Sequence, residues 1–135
     1  MKLIILSENF YAKYKNCKEV LKKENRPYYC ITIKVEGHTF AIPLRHHIRH
    51  AYAFFTIADA GLDFTKAVIV DDSSFISDDQ PTIDSKEWNT IRSNEDTIFK
   101  GFSRYIRQYK RALLKKDNPR SVRLIQYSSL QYFDL

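Results

Sequence analysis

Tyr28-Tyr29-Cys30-Ile31-Thr32-Ile33-Lys34-Val35, then Glu36-Gly37-His38, then Thr39-Phe40-Ala41-Ile42-Pro43-Leu44 is the stretch that decides the fold. Its first eight residues are mostly Tyr, Ile, Thr and Val, whose aromatic or branched side chains suit a pleated, half-buried surface. A tight turn around Gly37 comes next, and the following six residues resume the same chemistry. Two such runs joined by a short Gly-containing turn predict an antiparallel hairpin.

Upstream, residues 2–6 form a short apolar strand candidate, and Ser7 or Asn9 can cap a helix after it. Phe10, Tyr14, Cys17, Val20 and Leu21 recur at helical spacing and predict a helix over residues 10–23, ended by the polar run into Pro27. Downstream, residues 51–57 and 66–71 predict two further strands. Residues 72–84 read as an acidic, Ser-rich surface loop, with a short strand at Phe75-Ile76. Ser85 is a candidate N-cap for a helix whose apolar stripe runs Trp88, Ile91, Ile98, Phe102, Tyr105, Ile106, Tyr109 and Leu113, with a break near Ser93. Trp88, Phe99 and Phe102 read as core on this spacing. Asn118-Pro119 stops the helix, and residues 122–127 predict a last strand. The expectation is one α+β domain over residues 1–135: a small, curved antiparallel sheet or barrel with flanking helices.

Composition narrows the class. At 135 residues, 44% hydrophobic and 28% charged, the chain is an ordinary globular one and not a disordered one. No apolar run approaches the ~20 residues of a membrane helix, and the opening apolar stretch ends too soon for a signal peptide. A cytoplasmic location without membrane association is expected. Cys17 and Cys30 are too few for a disulfide framework and lack metal-ligand spacing, so reduced thiols are expected. The net charge of +6 is unevenly spread: residues 1–58 and 85–116 are each strongly basic, and residues 59–84 are acidic. Clustered Lys and Arg are what a phosphate-backbone partner requires.

One segment concentrates chemistry. Pro43-Leu44-Arg45-His46-His47-Ile48-Arg49-His50 carries three of the four histidines and two arginines. Zinc ligation lacks a second ligand set, and the arginines oppose a cation. Clustered Asp at 71, 72, 78, 79 and 84 raises a magnesium site, but no spacing ties these residues to a catalytic motif. No metal or cofactor is expected. Metal-free RNA cleavage needs a base for the ribose 2′-OH, an acid for the leaving oxygen, and fixed cations for the charged phosphate. An imidazole titrating near pH ~6.5 serves the proton roles, and the Arg fork suits the phosphate. Plain phosphate binding uses the same residues. On an extended backbone His46 and His47 point opposite ways, so one of them is expected to reach a scissile phosphate, His46 first and His47 as the fallback. His50 is a further candidate, with Arg45 and Arg49 stabilising the transition state. Tyr28, Tyr29 and Tyr52 are candidates for stacking on unpaired bases, one of Tyr28 and Tyr29 facing the core and leaving the other for RNA. Lys100, Arg104, Arg107, Lys110 and Arg111 line a helix face, either solvated or bound to an RNA backbone. His38, in the hairpin turn, reads as plain surface.

The order of these motifs resembles a known family. Arg26-Pro27-Tyr28, the hairpin with Gly37-His38, and the run Ile42-Pro43-Leu44-Arg45-x-x-Ile48-x-His50-x-Tyr52-Ala53-Phe54 resemble the type III toxin–antitoxin endoribonuclease toxins of the ToxN/AbiQ family, TenpN-like and CptN-like branches above all. Ile91-Arg92-Ser93-Asn94 and Ser128-Ser129-Leu130-x-x-x-Phe133 are similar to two later elements of that family. The resemblance implies a fold like the Kid/MazF-type toxins. It implies metal-independent RNA cleavage to a 2′,3′-cyclic phosphate and a 5′-hydroxyl. It implies a structured repeat RNA as antitoxin, processed by the toxin and assembled with it into toxin–RNA hetero-oligomers, with cellular RNA as substrate. By position Arg26 is a phosphate clamp and Ser128 a hydrogen-bond donor to a phosphate. The chain departs where better-known members carry Thr-Ser-x-Lys after Pro-Leu: Arg45 falls on the Thr, His46 on the Ser and Ile48 on the Lys, so Arg45 or Arg49 must supply the cation. A non-catalytic RNA-binding module and a protein-interaction domain are the alternatives from other classes.

Overall fold

A computed structural model describes residues 1–22 and 28–135. The hairpin is its centre. β2 (Tyr29–Val35) and β3 (His38–Arg45) pair antiparallel from Cys30↔Pro43 to Val35↔His38. The two-residue turn between them, Glu36-Gly37, has φ of 52° and 83°. Positive φ at both positions gives the turn a twist that matches the strands, and Gly37 takes it without strain.

β1 (Leu3–Ile5) adds to the free edge of β2. The other edge of β3 is divided. Phe40 and Ala41 pair with β6 (Val68–Ile69), while Leu44 and Arg45 pair with β5 (Ala60–Asp63). Pro43, which has no N–H to give a ladder, lies between the two pairings. β4 (Ala53–Ile57) then pairs with β5 as the last strand. Among the described residues the six antiparallel strands form an open curved sheet, with edges at β1, β4 and β6, and not a closed barrel.

Strand alternation buries both faces. Ile31, Ile33, Val35, Phe40, Ile42 and Leu62 point to one face. They meet α2 (Ser85–Ser93) and α3 (Glu95–Leu113) through Ile91, Ile98, Phe102, Tyr105, Ile106 and Tyr109. Cys30, Ala41, Val68 and Val70 point to the other face and meet Phe10 of α1 (Glu8–Lys13), together with Val20 and Phe75. Burial pushes the Cys30 thiol up to about 12, consistent with an unreactive reduced thiol.

Several expectations are corrected. α1 starts at the Ser7 cap as expected but stops at Lys13. Cys17 and Val20 come from successive turns, Cys17 N–H to the Tyr14 carbonyl and Val20 N–H to the Cys17 carbonyl, whose three-residue step imitates helical spacing. The Lys22 ammonium then donates to the carbonyls of Tyr14, Cys17 and Val20, closing the array. The predicted strand at 66–71 shrinks to β6, because Phe64–Lys66 is a 3-10 turn capped by Asp63. Phe75 lies in another such turn, and Ile76 makes only a single bridge to Leu6. Asp84, not Ser85, caps α2, and the break falls at Asn94. Phe99 is exposed.

The largest difference is at the C-terminal end. Residues 119–127 form α4 (Pro119–Tyr127), not a strand. Asn118 accepts the Arg120 N–H at 2.8 Å and Pro119 sits at the first helical position, where its missing N–H costs nothing. The same dipeptide that stops α3 starts α4. His38 is not plain surface: its Nδ1 lies 2.7 Å from Asp71, whose other oxygen accepts the Thr39 N–H.

β5, absent from the sequence reading, contains the most restricted position. A Cβ on Gly61 would lie 2.1 Å from the Phe54 carbonyl oxygen, because β4 bulges between Phe55 and Ile57 and crosses close over β5. Gly37, by contrast, faces open space. Gly61→Ala is expected to cost about 2–3 kcal/mol, more than the roughly 1–2 kcal/mol of Gly37→Ala. Urea unfolding of both variants checks the order.

Candidate active site at the open end of the central strand

The end of β3 delivers Arg45 to the level of β5, and Asp63 at the end of β5 lies beneath it. Asp63 is fully buried. Its Oδ2 accepts from Arg45 Nη1 at 2.8 Å. Its Oδ1 accepts from the Thr65 N–H at 3.0 Å and the Thr65 hydroxyl at 2.6 Å. His50 Nε2 approaches the same oxygen at 3.2 Å and the Thr65 hydroxyl at 3.4 Å. Burial pushes the Asp63 carboxyl up, but the hydrogen bonds and field of His50, the Thr65 bonds and Arg45 together hold it below its usual value.

The other ring nitrogen of His50, Nδ1, accepts the Tyr52 N–H at 3.1 Å. An acceptor at Nδ1 places the proton of the neutral ring on Nε2, facing Asp63. Both His50 nitrogens are thus engaged. The Tyr52 ring is part-exposed, 6.0 Å from the His50 ring centre and 5.6 Å from that of Tyr105.

The loop between β3 and β4 does not continue the strand. His47 has a φ of 58°, and Ile48 turns inward, buried, with its N–H on the Asp59 carbonyl. The His46 and His47 rings therefore do not point opposite ways; their centres are 6.4 Å apart. His47 Nδ1 lies 3.3 Å from Asp59 Oδ2. His46 is exposed and has no hydrogen-bond partner among the described residues, and Arg49 is exposed beside it in the same loop. One exposed imidazole, one exposed guanidinium in the field of Asp59 and one guanidinium held from below by Asp63 share this end of the sheet.

The remaining candidates separate. Arg26 lies outside the described residues. Tyr28 and Tyr29 are both half-buried: Tyr28 lines a narrow recess with Tyr11, Pro43 and Lys66, and Tyr29 lines a different crevice with Ser77, Asp78 and Asp79. Neither stands free as expected. Ser128 is fully buried; its Oγ accepts from Tyr105 Oη at 2.8 Å and from the Leu130 N–H at 3.2 Å, so it reaches no surface phosphate. Ser129 donates to the carbonyls of Thr65 and Ala67, which fastens the C-terminal segment under the Asp63 cluster. On α3, offsets of four, seven and eleven residues from Lys100 place Arg104, Arg107 and Arg111 on one exposed ridge, opposite the buried stripe. Lys110 lies off this ridge, 2.5 Å from Glu36.

Asp63 and Thr65 were missed in the sequence. The available signal was a lone carboxylate inside the apolar run Ala60-Gly61-Leu62-Asp63-Phe64. Asp71, Asp72 and Asp84, read as a solvated acidic loop, are turn and cap residues. No group of three His, Cys, Asp or Glu that could hold a metal ion occurs among the described residues, and no helix among them is long and apolar enough to cross a membrane.

Comparison with solved structures gives a clear likeness. The chain matches a structure described as "A processed non-coding RNA regulates a bacterial antiviral system", with a TM-score of 0.62 and 18% identity over 87% of this chain and 89% of that one. The chain has that fold. No protein-family model and no curated protein matches it. The expectation of a curved antiparallel sheet with flanking helices, of the kind the toxin resemblance implied, therefore holds over nearly the whole length, with the sheet open.

The lowered Asp63 pKa sets a sign. Its contribution to stability is present above about pH 4, the ordinary Asp value, and is lost as pH falls through the folded-state value. Asp63→Asn is expected to flatten the acid limb of the stability curve. Urea midpoints from about pH 7 to 3 test this, and an equally steep limb in the variant contradicts it.

Proposed function

We propose that this chain is a metal-independent endoribonuclease toxin of a type III toxin–antitoxin system, acting in the cytoplasm. The observation that carries the reading is the juxtaposition, at the end of β3, of an unpartnered imidazole, His46, with Arg45 and Arg49. The shared fold with a protein of an RNA-regulated bacterial antiviral system supports it. So do the motifs that resemble the ToxN/AbiQ toxins.

In this mechanism His46 exchanges the proton of the ribose 2′-hydroxyl or of the leaving 5′-oxygen. The 2′-oxygen attacks the adjacent phosphorus, the P–O5′ bond breaks, and the products are a 2′,3′-cyclic phosphate and a 5′-hydroxyl. Arg45 donates the N–H groups not taken by Asp63 to the phosphate, and Arg49 adds a second cation. His47, tied to Asp59, is the second proton-transfer candidate. His50, engaged at both nitrogens, supports the site. Tyr52 offers a part-exposed ring on which an unpaired base stacks, and Arg26 clamps a neighbouring phosphate. The antitoxin is a structured repeat RNA that fills the same groove and assembles with the toxin. The ridge of Lys100, Arg104, Arg107 and Arg111 holds an RNA backbone on the outer face of α3.

Incubation of the protein with mixed-sequence RNA in excess chelator, followed by end-group analysis, tests the reading. Discrete fragments with cyclic phosphate ends are expected, and His46→Ala is expected to slow cleavage roughly 100-fold or more while RNA is still bound. RNA that is bound but left intact by the wild type would instead make the chain a non-catalytic RNA-binding module. A fourfold Ala variant of the α3 ridge is expected to reduce the salt dependence of RNA binding by about 0.7 in logarithmic slope for each phosphate that the ridge neutralises. An unchanged slope would make the ridge solvent cover.

A further inference from the structure

The buried acid under this site has partners at the surface. Asp63 is fully buried, yet Arg45 and His50, which it holds, have side chains 30% and 32% exposed. Arg45 takes one carboxylate oxygen; His50 and both Thr65 donors take the other. All the bonds on the acid run toward the groups that face solvent or toward the single residue that orients it.

The local fold has fastenings of its own. Ser129 holds the Thr65 and Ala67 carbonyls, Tyr105 holds Ser128, and Asp63 is flanked by the buried Leu62 and Phe64. An apolar residue at position 63 would fill the space but leave uncapped the turn at residues 64–66, whose acceptor an Asn amide oxygen retains. Nor would an apolar residue supply direction. Without an acceptor below it, the long Arg45 side chain spreads over many rotamers. Without Asp63 at Nε2, the Tyr52 N–H alone orients the His50 ring.

We propose that Asp63 is a positioning residue: from below the surface it fixes the Arg45 guanidinium in the arrangement that acts on the bound phosphodiester, beside a His50 ring held between Asp63 and the Tyr52 N–H. The role in catalysis rests on the ribonuclease reading; the positioning itself does not. Asp63 touches no substrate. It acts by having the cation already ordered when the phosphate arrives, and a displacement of about 1 Å in such a group costs about 100-fold in rate.

The test combines a double-mutant cycle with nitrogen NMR. Asp63→Asn is nearly isosteric; its amide oxygen can still accept from Thr65, but its NH2 cannot accept from Arg45. In the cleavage assay Asp63→Asn is expected to lower kcat about 100-fold with KM changed less than about threefold. Arg45→Ala is expected to show a loss of similar size, and the double variant is expected to lose little more than either. A purely structural acid gives losses that multiply, and that outcome overturns the proposal. So does an unchanged kcat in folded Asp63→Asn. Independently of any cleavage, side-chain nitrogen spectra of the wild type are expected to show a resolved, ordered Arg45 guanidinium, and those of Asp63→Asn to show it averaged with the solvent-exposed arginines. A wild-type Arg45 guanidinium that is already averaged overturns the proposal even if the variant fails to fold. A wild type that cleaves nothing but shows the ordered Arg45 guanidinium removes the ribonuclease reading and leaves the positioning intact.

Discussion

β3 has one partner on one edge and two on the other, and the change happens across Ile42-Pro43. Most of the molecule depends on that division. The first half of β3, between β2 and β6, is buried on both faces and forms the centre of the sheet. The second half is released from β6 and turns to β5, carrying Arg45 away from the packed region toward solvent. Proline suits the junction because it has no N–H to commit to either neighbour. The register Arg45↔Gly61 then sets the guanidinium two residues from Asp63.

The site is therefore a product of strand pairing more than of the loop that carries its histidines. The loop supplies the exposed groups, His46 and Arg49, while the strands supply the carboxylate that holds Arg45. The C-terminal segment belongs to the same assembly: Ser129 reaches the turn that contains Thr65, and Lys66 in that turn bonds Glu19 and the Tyr127 carbonyl. Elements from both ends of the chain thus converge on residues 63–67. The α3 ridge stands apart, since its direction is dictated by the buried stripe on the opposite side of the same helix.

What was legible in the sequence tracks the range of the interactions involved. The hairpin announced itself through alternation and a glycine turn, and α3 through apolar residues at helical steps; both signals are local. α4 was misread because Val122, Leu124 and Ile125 have strand-like composition and because Asn118-Pro119 is equally a stop and a start. β5 was missed because Ala-Gly-Leu-Asp is short and carries no period. At the site, the residue types in 45–50 were visible as a cluster. Which of them were tied and which open was not, since that depends on Asp59 and Asp63, brought in by strand register. Ser128 was read from a motif as a hydrogen-bond donor to a phosphate, and only tertiary packing shows its hydroxyl turned to Tyr105.

The sheet has a hydrophobic layer on each face, and the two layers are held unequally. The α3 side rests on nineteen consecutive helical residues, whereas the α1 side rests on a six-residue helix and a chain of turns closed by one lysine ammonium. Such a molecule has no single opening free energy. Amide exchange in the thin layer is expected to proceed by its detachment alone, with β2, β3 and α3 still folded. The residues on the protected side, including those that carry Tyr105 beneath the site, are expected to exchange only when the whole chain unfolds.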